Sequence, residues 1–159
     1  MGKIVRCRTI YGGFVETPAE NLIDRPAAYG LVGRGPELLL VMFPVVGQYS
    51  LPGGGREKGE TLEETASREI IEETGVPVEV LELLHFQQEF FFHPFVGYCN
   101  SLSFFYLCRP LGDIAVPTVP DLPGGAPAWE DVSRPRTDLH MFIQPAVAKY
   151  LAHLQRQAP

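Results

Sequence analysis

The chain has 159 residues, a length that suits one domain, and 45% of them are apolar, enough for an ordinary core. A net charge of −6 argues against a general nucleic-acid-binding surface, although an acidic protein still binds phosphates where metal ions screen its carboxylates. No run is long enough to span a membrane, and the first ten residues, MGKIVRCRTI, lack the apolar stretch of a signal peptide.

In chain order, Lys3–Ile10 reads as a first strand, broken by Gly12-Gly13, and residues 16–26 are polar up to Arg25-Pro26. Ala27–Val32 and Leu38–Phe43 are apolar runs separated by GRGPE, the pattern of two strands joined by a tight turn, with Pro44 ending the second. Gln48–Gly55 is expected to be a glycine-rich loop. Thr61 can cap a helix with Glu64 three residues on, and Leu62, Ala66 and Ile70 form its apolar stripe. Gly75 suits the left-handed residue after the last turn. Val78–Phe92 reads as one bulged strand or two, His93–Asn100 as a turn or loop, and Ser101–Cys108 as a buried strand. Residues 109–128 hold five prolines and three glycines and read as a long loop. Ala128–Val132 is a last short strand, with Trp129 expected in the core. Pro145 starts a final helix whose buried stripe is Val147, Tyr150, Leu151 and Leu154. Strands interleaved with two separated helices predict helices on both faces of a mixed sheet. Cys7, Cys99 and Cys108 have no metal-ligand spacing and read as reduced thiols, so a cytoplasmic protein is expected.

The stretch Gly54–Val76 is dense in glutamate, Glu60, Glu63, Glu64, Glu69, Glu72 and Glu73 among them. Glu69, Glu72 and Glu73 lie at helical spacing, where like charges destabilise a helix. Glu72 and Glu73 also fall at its negative end, where cations are favoured. Carboxylates placed against both rules point to a bound cation, and a divalent metal is the economical candidate.

Gly54, Glu60, Arg68, Glu69, Ile70, Glu72, Glu73, Gly75 and Val76 match every fixed position of the pattern G-x5-E-x7-R-E-U-x-E-E-x-G-U, where U is aliphatic. The segment thereby resembles the signature box of the Nudix hydrolase family (MutT-like), a signal far more specific than a lone glycine motif. LPGG ahead of the box, the Trp129 strand and the C-terminal helix are also similar to the family. The resemblance runs from about Ala27 to Leu154, and the N-terminal extension, residues 1–26, carries little of it. It implies an α/β fold, the α/β/α sandwich with a mixed β-sheet between helices, with residues 1–159 as a single domain and the box at 54–76.

The same resemblance implies a metal-dependent pyrophosphohydrolase that cleaves the pyrophosphate of a nucleoside diphosphate linked to a further group, X. Mg²⁺, with Mn²⁺ as substitute, would be held by Glu69, Glu72 and Glu73 with a backbone carbonyl of Gly54. Arg68 would orient the glutamates through Glu60. Glu73 would take the proton from the attacking water; Glu89 is the first candidate outside the box, ahead of Glu130 and Asp131. Arg25, Arg34, Phe91 and Phe92 are candidate substrate contacts, the arginines for phosphate and the rings for a base. Tyr49 stands near the cleft entrance or packs under its loop, and His85 and His93 read as structural. The downstream tyrosine and proline that mark some family branches do not align with Phe91, Phe92, His93 and Pro94. The first expectation for the substrate is a (deoxy)nucleoside triphosphate, releasing nucleoside monophosphate. The alternatives are an ADP-ribose or nucleotide-sugar pyrophosphatase and, from another class, a regulatory domain that binds nucleotide without hydrolysing it. The expected partner is a small nucleotide, not a nucleic-acid polymer or a membrane, and a homodimer is open.

Overall fold

The computed structural model describes residues 2–43, 45–115 and 126–159. The glycine punctuation and apolar alternation become nine strands and two α-helices among these residues: β1 Ile4–Arg8, β2 Phe14–Pro18, β3 Ile23–Arg34, β4 Glu37–Phe43, β5 Gln48–Ser50, β6 Gly53–Gly55, α1 Leu62–Thr74, β7 Val78–His93, β8 Gly97–Pro110, β9 Ala128–Asp131 and α2 Gln144–Gln157. The strands form one mixed sheet in the order β2-β1-β7-β8-β3-β4-β5, with β6 on β3 and β9 on β4. β3 is its hub. It runs parallel to β8 from Ile23↔Cys99 to Val32↔Cys108, takes β6 antiparallel at Ala27↔Gly55, and turns into β4 at Gly33↔Leu38.

A helix covers each face, as the alternation of elements predicts. Ala66 and Ile70 of α1 join Ala28, Val32, Leu39 and Tyr106 in one buried cluster. Ala146, Val147 and Tyr150 of α2 join Leu31, Leu38 and Phe105 in the other, with Leu151 and Leu154 against its edge. The Tyr150 hydroxyl donates to the Gly35 carbonyl at 2.7 Å and so ties α2 to the β3–β4 turn. No helix among the described residues is long and apolar enough to cross a membrane. Cys7, Cys99 and Cys108 are free, buried thiols.

Three expectations need correction. Gln48–Gly55 is not a loop: β5 pairs with β4 and β6 with β3, because glycines let this backbone lie against its neighbours. At Gly53, for instance, a Cβ would run into the Ala28 carbonyl and the Tyr29 ring. His93–Asn100 is mostly strand, since the β7–β8 ladder continues through Phe91↔Cys99 and Phe92↔Tyr98 to His93↔Gly97. Trp129 is half-buried, its face stacked by the Arg34 guanidinium 3.9 Å from the ring centre and its Nε1 donating to Asp113. The bulged strand is as expected, with shifts between Val80 and Glu82 and between Leu83 and His85. Pro44 and residues 116–125 of the 109–128 loop lie outside the described residues.

Candidate active site

The site is built on α1, whose start and stop are written locally. The Thr61 side chain accepts from the Glu64 N–H at 3.1 Å, and the Glu64 carboxylate accepts from the Thr61 N–H at 2.8 Å, closing a capping box. Gly75 ends the helix at φ 71°. The face buried through Ala66 and Ile70 fixes the rotation of the helix, and its free flank carries Arg68, Glu69, Glu72 and Glu73 towards β6.

Arg68 is the centre of this flank. Its Nε donates to Glu60 at 2.5 Å and its Nη2 to the second Glu60 oxygen at 3.1 Å, a bidentate pairing. Nη1 reaches Glu69 at 3.0 Å and Glu72 at 3.2 Å, and Nη2 also donates to the Gly55 carbonyl at 3.2 Å. Glu60 accepts in addition from the Thr65 hydroxyl at 2.8 Å, and with Arg68 foremost its pKa falls to about 2. Arg68 thus bonds directly to Glu69 and Glu72 as well as to Glu60.

Glu73 has no such cation. Its carboxylate accepts the Gly53 N–H at 3.4 Å, and burial, then the charge of Glu69, push its pKa up to about 8. Burial also raises Glu69, against the pull of Arg68. Two carboxylates held above their ordinary range, side by side, are groups whose charged forms lack compensation. The donor set is all oxygen, as a hard divalent cation such as Mg²⁺ requires. A Cβ on Gly54 would lie 2.5 Å from the Glu69 carboxylate, so glycine is what lets this backbone approach it. Among the described residues, however, no three His, Cys, Asp or Glu side chains converge as a ready ligand set. The three carboxylates instead take the nearest donors, Arg68 for Glu69 and Glu72 and the Gly53 N–H for Glu73.

β3 supplies the opposite wall. The Arg25 guanidinium stands 3.4 Å from the point where a Gly55 Cβ would be, and its charge acts on Glu69. Tyr29, two alternations along the same strand, is a residue the sequence reading missed. Its ring stacks on Phe105 at 5.2 Å, and its phenol, raised by burial, feels Arg25, Glu73 and Glu69. Period-2 alternation from Arg25 was the available signal.

The other candidates disperse. Arg34 ends β3, nine residues and about 30 Å beyond Arg25 at strand spacing; it is spent on Trp129, Asp113 and the Gly112 carbonyl. Glu89 pairs with Arg8, Nε to Oε2 3.5 Å, and lies two strands from Arg25 in the row Glu89–Ser101–Arg25. Phe91 shares the Glu89 face of the sheet, whereas Phe92 points to the other and meets Tyr98 at 5.1 Å. Glu130 is held by Arg136 at 2.6 Å, and Asp131 accepts from Ser133. Tyr49 packs near Arg136, and His85 and His93 bond locally to Gln87 and the Phe95 N–H.

The NUDIX domain family model matches residues 24–150, four-fifths of the chain and the whole of this site. The chain belongs to the Nudix family. Among curated proteins it is 52% identical over 58 residues to the NAD-capped RNA hydrolase NudC of Chromobacterium violaceum, covering 35% of this chain and 22% of that protein. It is 43% identical over 61 residues to an ADP-ribose pyrophosphatase of Methanocaldococcus jannaschii, 36% of each chain. A Nudix hydrolase of Caenorhabditis elegans is 36% identical over 87 residues, 54% of this chain and 21% of that protein. The match thus spans about a fifth to a third of these relatives' length. In fold, the chain is similar to a Nudix hydrolase of Nitrosomonas europaea, with a TM-score of 0.69 at 20% identity over 82% of this chain and 90% of that one. It is also similar to a Streptococcus suis ADP-ribose pyrophosphatase, with a TM-score of 0.61 at 17% identity over 85% and 92%.

Proposed function

We propose that this Nudix hydrolase cleaves the pyrophosphate of a nucleoside diphosphate linked to X, with a nucleoside triphosphate as the first candidate and nucleoside monophosphate as product. The observation that carries the reading is the flank of α1 and the turn before it: Glu60, Glu69 and Glu72 gathered on Arg68, and Glu73 on the Gly53 N–H, facing a glycine strand with Arg25 beyond. Glu69, Glu72, Glu73 and the Gly54 carbonyl would hold a Mg²⁺, which would supply positive charge to the pyrophosphate and lower the pKa of water there. Arg68 keeps Glu69 and Glu72 aimed at this position. Arg25 binds a substrate phosphate from the β3 side, and the glycine backbone of β6 leaves room for it. Glu73, which has no arginine partner among the described residues and accepts the Gly53 N–H, takes the proton of the attacking water.

The second reading is an ADP-ribose pyrophosphatase, favoured by the relative of that name from Methanocaldococcus jannaschii. Product analysis with Mg²⁺ on nucleoside triphosphates, ADP-ribose and nucleotide sugars separates the two. The first reading predicts monophosphate plus inorganic pyrophosphate. Two phosphomonoesters from ADP-ribose alone support the second. Nucleotide binding without turnover of any candidate contradicts both.

A further inference from the structure

One recess lies apart from the α1 flank, on the face of the sheet that α2 covers, where Tyr29 follows Arg25 by two alternations along β3. About 260 Å³ in volume, it is lined by Arg8, Gln87, Gln88, Glu89, Met141, Phe142 and Pro145. Such a space suits one planar heterocycle rather than a whole nucleotide, since pockets for drug-sized ligands run to roughly 300–1,000 Å³. One of its lining residues, Arg8, comes from β1, before the segment that matches the family model. The hairpin is fastened there: the Ile10 carbonyl meets His140 Nε2 at 3.1 Å, and Arg8 pairs beside Phe91.

The polar groups of the recess divide sharply. The amides are partnered within the protein, Gln87 through Oε1 on His85 at 3.0 Å and Nε2 on the Phe142 carbonyl at 3.0 Å, and Gln88 through Nε2 on Asn100 at 2.7 Å. Arg8 and Glu89 are tied chiefly to each other. Among the described residues Glu89 meets Arg8 at 3.5 Å, and the other hydrogen-bond partner of Arg8 is a thioether, Met141 Sδ at 3.5 Å. A carboxylate and a guanidinium so placed keep spare acceptor and donor capacity, beside the apolar Met141, Phe142 and Pro145.

We propose that Arg8 and Glu89 read the edge of the substrate's base and select guanine. The inference rests on the reading of the protein as a nucleotide pyrophosphohydrolase. Guanine offers two adjacent donors, N1–H and the 2-amino group, to a carboxylate, with O6 next to them as acceptor for a guanidinium. Adenine would set its N1 lone pair against Glu89. Uracil and thymine have one N–H flanked by carbonyls, and cytosine has one amino group beside an acceptor. Position agrees with chemistry. Glu89 is two strand spacings, about 10 Å, from Arg25 across the small, buried Ser101. A base between Arg8 and Glu89 therefore leaves its ribose over Ser101 and its phosphates at Arg25 and β6. Phe142 and Met141 supply the contact surface for the ring.

The test compares wild type, Glu89→Gln and Arg8→Ala on GTP, ATP, CTP and UTP with Mg²⁺. Calorimetric titration with GMP and AMP, which need no cleavage, runs in parallel. The wild type should favour GTP over ATP by at least about tenfold in kcat/KM. Glu89→Gln should reduce that ratio at least about tenfold, mainly through KM, because an amide pairs with adenine's N1 and 6-amino edge. Arg8→Ala should also lower it. A base-indifferent wild type overturns the inference, and so does an equal loss of kcat on all four substrates in Glu89→Gln, which would make Glu89 a proton acceptor. If nothing is hydrolysed, the functional reading fails separately: GMP binding stronger than AMP binding and lost in Glu89→Gln still upholds base selection, and equal or absent binding removes it.

Discussion

At the scale of single residues, Glu73 carries the most consequence. Burial and Glu69 raise its pKa from the ordinary 4.5 to about 8, so near neutral pH it binds a proton that a metal must displace. Affinity for Mn²⁺ is therefore expected to climb as pH rises from 6 to 9, with its inflection near 8 in the wild type and not in Glu73→Gln. Linkage gives the accompanying change in stability of the metal-free protein. The folded state holds the Glu73 proton to about 8 and the unfolded chain releases it near 4.5, so this contribution is complete below 4.5 and lost as pH rises to 8. Chemical denaturation at pH 9 should find metal-free Glu73→Gln at least as stable as wild type while its turnover is lower by orders of magnitude. Near-normal turnover in that variant would remove Glu73 from the mechanism. Gly54 makes the complementary case: Gly54→Ala sets a methyl against the Glu69 carboxylate and should weaken Mn²⁺ binding about tenfold or more, read in the same titration.

The elements show what is local and what is not. α1 was legible almost to the residue because its cap, its apolar stripe and its terminal glycine all lie within its own sequence. Thr61→Ala should lower stability by about 1 kcal/mol, measured by denaturant melting, since it removes a capping side chain and leaves the Glu64 N–H unpaired. β5 and β6 were not legible. Three-residue strands, one of them all glycine, have no pattern of their own and exist because β4 and β3 offer them edges. The carboxylates of the site were readable from spacing, whereas Arg8 was not: it reaches Met141 across 133 residues of sequence, a contact that only the assembled sheet creates. Arg34 misled for the opposite reason, since an arginine flanking a core strand looks alike at either end.

For the whole molecule, the two helices do different work on the two faces of one sheet. α1 presents the charged flank. α2 closes the opposite core and, through the turn that leads into it, carries Met141 and Phe142 to the base recess. Its anchor is Tyr150, so Tyr150→Phe should cost about 1 kcal/mol in denaturant melting through the lost bond to Gly35, with little change in kcat. Acid should act on the other face first. Glu60, held near 2 by Arg68 against an ordinary 4.5, contributes stability above 4.5 that is lost as pH falls towards 2, releasing Arg68 from its strongest partner.

The central claim is that the glutamate flank of α1 holds the divalent cation on which hydrolysis depends. Electron paramagnetic resonance of Mn²⁺ titrated into wild type, Glu69→Gln and Glu73→Gln at pH 8 tests it most directly. The expected result is stoichiometric Mn²⁺ on the wild type, displaced by Mg²⁺ and weakened at least about tenfold in both variants. Wild-type protein that binds no Mn²⁺, or folded variants that bind it as tightly, would contradict the claim.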